Sequence, residues 1–215
     1  KFQMNDSYLT ISGSLENSND PVISWDLETQ LVLDEIFPIP ELAHFKNVKG
    51  MVTAKIDLDG KISELEANSK KGLRRFIGSL SLDGVSLDYG EQNHKLSGLS
   101  GTIELDNERI SMESLKGKVN GSNFSIHGQL ANFLPLISDK SNRKANGDLD
   151  VFLENIEIPT TSLATESTDS ISMSIPSIPT NLAVNLNFRS NAIAYDKYKI
   201  ADLGTKIYLS GDSIA

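Results

Sequence analysis

The sequence predicts an all-β protein, an antiparallel sheet built from repeated β-units, with only minor short helices. Three observations predict the sheet. Apolar residues recur with period two over most of the chain, short turn-forming pairs punctuate them, and helix signals are thin.

The alternation is legible strand by strand. In Leu80-Ser-Leu82 and Val85-Ser-Leu87-Asp-Tyr89, apolar side chains alternate with small or acidic ones. Leu99, Ile103 and Leu105 point one way, with Ser100, Thr102, Glu104 and Asp106 opposite. Phe124, Ile126 and Leu130 repeat the pattern against Ser125, His127 and Gln129. Leu149, Val151 and Leu153 form a further strand, and Leu182, Val184, Leu186 and Phe188 another. Between these runs stand Asp59-Gly60, Asp83-Gly84, Asp106-Asn107, Asn120-Gly121 and Gly211-Asp212, read as turns. Strands joined by turns this short are antiparallel neighbours, because a parallel crossover needs about a dozen residues.

Two short helical pieces are expected, at Pro40 to Phe45 and at Ala131 to Ile137. Neither is long enough to cover a sheet of this size. The Ser/Thr-rich stretch 159–180, with Pro176 and Pro179 near its end, is read as a flexible surface loop. The rest of 1–215 is expected to be one continuous repetitive segment.

Composition removes several functions. The formal charge of −9 disfavours nucleic acid and broad adhesion to anionic headgroups. Lys70, Lys71, Arg74 and Arg75 form the one tight basic cluster, read as a solvated loop. With no cysteine, disulfides and thiolate chemistry are excluded. No apolar run reaches the roughly eighteen residues of a membrane helix. The first residue is Lys rather than Met, and Lys1 to Ser7 has no signal-peptide character, so a preceding segment is expected.

No catalytic constellation survives inspection, and the chain is read as non-enzymatic. Asp57, Asp59, Gly60 and Glu66 approximate a calcium loop, but Lys55 stands where its first carboxylate belongs, so a tight Asp-Gly turn is expected instead. His44, His94 and His127 have no partner at metal-ligand spacing. Ser97-Gly-Leu-Ser-Gly101 lacks the spacing of a nucleophile elbow. No cofactor motif is present.

Self-similarity is the most informative feature. Ser7 to Asn17 matches Ser122 to Asn132, with serine, isoleucine, glycine, leucine and asparagine at identical spacing. Leu96 to Ile110 matches Ile200 to Ile214. The first offset is 115 residues and the second 104, so the repeat tolerates insertions in its loops. A repeat truncated at both ends leads to the expectation of a longer parent chain.

The stretches Leu96-Ser-Gly-Leu-Ser-Gly-Thr-Ile-Glu-Leu105, Ile110-Ser-Met-Glu-Ser-Leu-Lys-Gly117 and Asn120-Gly-Ser-Asn-Phe-Ser-Ile-His-Gly-Gln-Leu-Ala-Asn132 resemble the AsmA-like family, relatives of TamB. The likeness covers residues 80–158 best, and 7–17 and 182–214 more loosely. It implies a long, curled antiparallel sheet forming an apolar-lined groove in the Gram-negative periplasm, tethered to the inner membrane through a segment not present here. It further implies conduction of phospholipid or another acyl-chain lipid towards the outer membrane, with adjoining segments of the same parent as partners. The groove wall implied is Leu80, Leu82, Leu99, Ile103, Leu105, Met112, Phe124, Ile126, Leu130, Leu149, Val151, Leu186 and Phe188. The same alternation also suits the closed core of a structural or adhesive sandwich module, and the two readings stay open at this level. A carbohydrate-binding sandwich, which would want exposed aromatics, is the third.

Overall fold

The computed structural model describes residues 2–36, 45–61, 73–89, 94–133, 144–158, 181–195, 197–211 and 213–214. Its strands are β1 (Phe2–Met4), β2 (Ser7–Glu16), β3 (Val22–Val32), β4 (Phe45–Lys61), β5 (Leu73–Tyr89) and β6 (His94–Asp106). They continue as β7 (Arg109–Val119), β8 (Ser122–Ala131), β9 (Ala145–Ile158), β10 (Leu182–Tyr195), β11 (Tyr198–Ser210) and β12 (Ser213–Ile214). One short helix, α1 (Leu33–Ile36), follows β3. All twelve strands form a single sheet in sequence order, curled but not closed.

Tight turns rest on asparagine. Asn5, Asn107 and Asn120 adopt φ of 48°, 49° and 49°, a left-handed conformation that asparagine tolerates better than other side-chain-bearing residues. Asn120 is followed by Gly121 at φ 88°, which suits the two-residue turn of a hairpin. The side chains also extend the ladder. Asn107 donates its N–H to the Phe76 carbonyl at 2.6 Å, and its Oδ1 accepts the Phe76 N–H at 3.2 Å. Asn120 treats Lys95 the same way, both bonds being 2.8 Å.

Asp83-Gly84 and Asp59-Gly60 are not turns. Asp83-Gly84 lies inside the seventeen-residue β5, where the register with β6 shifts between Leu82 and Val85. Matching shifts occur in β6 between Ser97 and Ser100 and in β7 between Met112 and Leu115. The three irregularities lie on adjoining strands. A bulge bends its strand and raises the local twist, so this seam helps to curl the sheet. Each extra residue would reverse the side-chain alternation, but the apolar spacing slips in step, as in Leu82-x-x-Val85 and Met112-x-x-Leu115.

Two serines stitch the seam. Ser86 Oγ accepts the Gly98 N–H at 2.9 Å and donates to the Gly84 carbonyl at 3.1 Å. Ser100 Oγ accepts the Gly84 N–H at 3.0 Å and donates to the Gly98 carbonyl at 3.3 Å. Gly84 and Gly98 sit at φ 60° and 62°, where a Cβ is disfavoured.

Asp59-Gly60 lies near the end of β4, paired with Ser24-Ile23 of β3. The near-calcium sequence is therefore extended backbone from Lys55 to Lys61, and residues 62–66 lie outside the described residues. Phe45 opens β4 rather than closing a helix, and 37–44 lie outside the described residues. Ala131 ends β8, Asn132 turns left-handed at φ 55°, and 134–137 are again outside. Arg75 is not in a solvated loop: it lies in β5 and pairs with Asp57 of β4 at 2.6 Å. Lys70, Lys71 and the stretch 159–180 fall outside the described residues.

One pairing departs from the antiparallel expectation. β9 and β10 are parallel, from Ala145↔Leu182 to Ile158↔Tyr195. The sequence repeats supply the reason. β8 matches β2 and β11 matches β6, yet β3, β4 and β5 lie between β2 and β6 whereas only β9 and β10 lie between β8 and β11. Leaving one strand out of an alternating sheet makes its two neighbours run the same way. β9 stands where β3 does and β10 where β5 does.

Candidate apolar trough

Strand registry assembles the alternating residues into continuous rows. One runs Ile11, Leu27, Ile56, Gly78, Leu105, Ile110, Leu130, Gly147, Val184, Leu209, each directly opposite the next. The neighbouring row runs Leu9, Thr29, Ala54, Leu80, Ile103, Met112, Gly128, Leu149, Leu186, Ile207. With strands spaced at 4.7–4.9 Å, ten strands carry these rows over about 43 Å.

The apolar face is the inner side of the curl. Ile23, Val48, Ala54, Val85, Leu115, Ala145, Val184 and Ala192 are the buried apolar residues of the strands, and registry puts each on that face. Curvature crowds side chains on the concave side and spreads them on the convex one.

All thirteen residues expected to line a groove lie on this face, and all thirteen are half-buried. Side chains in a two-layer core are mostly enclosed, whereas those on a free surface are open. The inner wall falls between the two. Among the described residues only small elements reach over it. Phe133, 2% exposed, packs its ring 5.7 Å from that of Phe76 at one rim. At the other rim α1 is tied to β2, where Ser7 Oγ donates to Glu35 Oε2 at 2.8 Å and accepts the Val32 N–H at 2.9 Å.

A cavity of about 570 Å³ opens at the second rim, bounded by trough-facing Val119, Leu153, Asn155, Ala192 and Ala194, with Glu157 and Lys199 at its margin. None of these was expected from sequence as wall, although Leu153 belonged to a recognised strand. The wall also extends over Leu27, Leu31, Val52, Ile56, Leu58 and Phe76 of β3 to β5. Their alternation is as regular as that of the later strands, so the same signal could have found them.

The outer face is polar. Glu28 faces Lys55, Ser81 Oγ lies 3.3 Å from Thr102 Oγ1, and Asn185 Nδ2 donates to Asp148 Oδ1 at 2.9 Å. Tyr8 donates its hydroxyl to Glu28 Oε1 at 3.3 Å. Desolvation, then the Glu28 charge and this hydrogen bond, raises the Tyr8 hydroxyl above the ordinary phenol value. His127 Nδ1 lies 2.6 Å from the Glu113 carbonyl oxygen, a contact that puts the proton on that nitrogen. His94 lies beside Tyr89 at 5.4 Å between ring centroids, and His44 falls outside the described residues.

No metal-ligating cluster and no helix long and apolar enough to cross a membrane occur among the described residues. No family model matches the chain, and no curated protein or solved structure does.

Proposed function

We propose that this chain is a segment of a lipid-conducting envelope protein, carrying phospholipid or another acyl-chain lipid along its apolar inner face. The observation that supports this best is the half-burial of all thirteen wall residues on one uninterrupted face. The physical need is plain. Taking a methylene from an apolar wall into water costs about 0.8 kcal/mol, so a two-chain lipid with ~30 buried methylenes resists release by roughly 24 kcal/mol. A continuous trough replaces each apolar contact with an equivalent one as the lipid advances. The reading includes a place in the periplasm between inner and outer membrane, membership of the AsmA-like group, and adjoining segments of one parent chain as partners. It assigns no catalytic residue and no cofactor.

The closed-core module is favoured by one observation, the enclosure of Phe133 against Phe76. The two readings separate in a photo-crosslinking experiment with a benzophenone residue at Ile103 or Phe124, and at Thr102 or Ser125 as outer-face controls. Lipid adducts confined to the inner positions are the expected result. Crosslinks from the inner positions to protein alone, with no lipid at either face, would replace the conduit with a closed core.

A further inference from the structure

We propose that the rim cavity over β8 to β11 is a resting site for the headgroup of a zwitterionic phospholipid bearing a primary ammonium, a phosphoethanolamine lipid. The site rests on the conduit reading above and gives that conduit a headgroup preference.

The inner face is almost free of charge, and its two exceptions stand together. Among the described side chains of the strands, registry puts only two charged groups on that face, Glu157 and Lys199. Both lie opposite Ala194, Glu157 on β9 and Lys199 on β11. Two strand spacings separate them, about 10 Å from backbone to backbone. Both are exposed, and no ion pair joins them to each other or to another described residue.

The floor between them is made of small side chains. Ser122, Ala192 and Ala194 leave room for the cavity of about 570 Å³, which Val119 and Leu153 bound on its apolar side. That volume is ordinary for a site that takes a small organic group. Earlier along the same rim, Leu87 faces Leu96 and Leu96 faces Val119, so larger apolar side chains meet there instead. Polarity also rises towards the cavity along the strands. The inner face of β9 runs Leu153, Asn155, Glu157, and that of β11 runs Leu203, Ala201, Lys199. An amphiphile fits this gradient with its acyl chains in the trough and its headgroup at the rim.

The two charges select the headgroup. The Lys199 ammonium donates to a phosphate oxygen, and the Glu157 carboxylate accepts from an ammonium N–H, both of them charge-assisted bonds. A headgroup with no positive charge is repelled by Glu157. A trimethylammonium group has no N–H to offer, so the carboxylate holds it less firmly. Phosphoethanolamine satisfies both side chains at once, and the apolar wall behind them strengthens each attraction relative to open water.

The test follows binding of phospholipids with a fluorophore on one acyl chain to the intact chain, comparing ethanolamine, choline and glycerol headgroups. The ethanolamine lipid should bind tightest, on the order of fivefold or more ahead of the glycerol lipid. Glu157→Gln should abolish that preference, Glu157→Lys should invert it, and Lys199→Gln should weaken all three lipids. Equal binding of the three headgroups, a preference that survives Glu157→Gln, or indifference to Lys199→Gln would overturn the site and leave the conduit standing. Absence of lipid binding by the unaltered chain would remove the conduit and the site with it. Free phosphoethanolamine that competes as well as the intact lipid would assign the cavity to a soluble ligand, and overturn the proposal too.

Discussion

The two repeat units of this sheet differ by one strand. In the first, β2 to β7 alternate without interruption. In the second, β8 to β12 meet at a parallel joint between β9 and β10. The inner face stays apolar across the parallel joint: Ile126, Val151 and Phe188 align across it, as do Leu149 and Leu186. What a strand-based repeat must preserve is therefore the parity of its apolar face, and strand number and direction are free to vary. The in-step slips of apolar spacing at the bulges of β5, β6 and β7 show the same constraint within single strands.

Substitutions at equivalent places in the two units sharpen this comparison. The largest effect is expected at the repeated glycines. A Cβ on Gly128 would lie 2.2 Å from the Asp148 carbonyl oxygen, and one on Gly13 would lie 2.0 Å from that of Ser24. Gly128→Val should cost about 3 kcal/mol or more in urea denaturation. Gly13→Val should cost a similar amount, because its Cβ would meet the same kind of backbone oxygen at least as closely. Clearly unequal losses would remove the equivalence of the two positions.

Next come the stitched bulges. Ser86→Ala and Ser100→Ala each remove the acceptor for a glycine N–H, and each should lower stability by about 1 kcal/mol. Asp202, on the second unit's β11, holds the left-handed conformation without glycine. Asp202→Gly should therefore stabilise by up to about 1 kcal/mol, whereas Gly98→Val should destabilise by roughly 2 kcal/mol. If both changes destabilise alike, the two positions are not equivalent.

The smallest effect concerns Tyr8. Its hydroxyl should titrate above the free value of 10.0, followed by absorbance of the phenolate, and Glu28→Gln should bring it down. The sign for stability follows from the raised value. Folding favours the neutral phenol, so nothing is lost below pH 10, and stability falls as the unfolded chain ionises above it.

The sheet itself was legible because alternation is a local property: Phe124-x-Ile126 and Leu186-x-Phe188 need no partner to declare a strand. The hairpins at Asn107 and Asn120 were equally local. Asp83-Gly84 misled because a bulge and a turn ask for the same residues, and only the neighbouring strand distinguishes them. That neighbour supplies Ser100 Oγ to the Gly84 N–H, a contact between residues sixteen apart. The parallel joint was hidden for a similar reason, since strand direction depends on how many strands intervene and not on any residue within β9 or β10. Of the wall, the thirteen named residues share one face, while Val119, Ala192 and Ala194 were passed over because a rim cavity is formed by several strands at once.

Sheet order equal to chain order has a consequence for synthesis. Nearly every strand is laid against the one made just before it, so most of the fold can be completed in the direction of travel as the polypeptide emerges. Such growth needs few long-range searches, and contacts close in sequence favour fast folding. The parallel joint has the longest wait of the described strand-to-strand steps, because β10 can dock on β9 only after residues 159–181 have been made. A pause at that point, visible as delayed protection of β10 and β11 in pulsed hydrogen exchange, would be the kinetic trace of the missing strand.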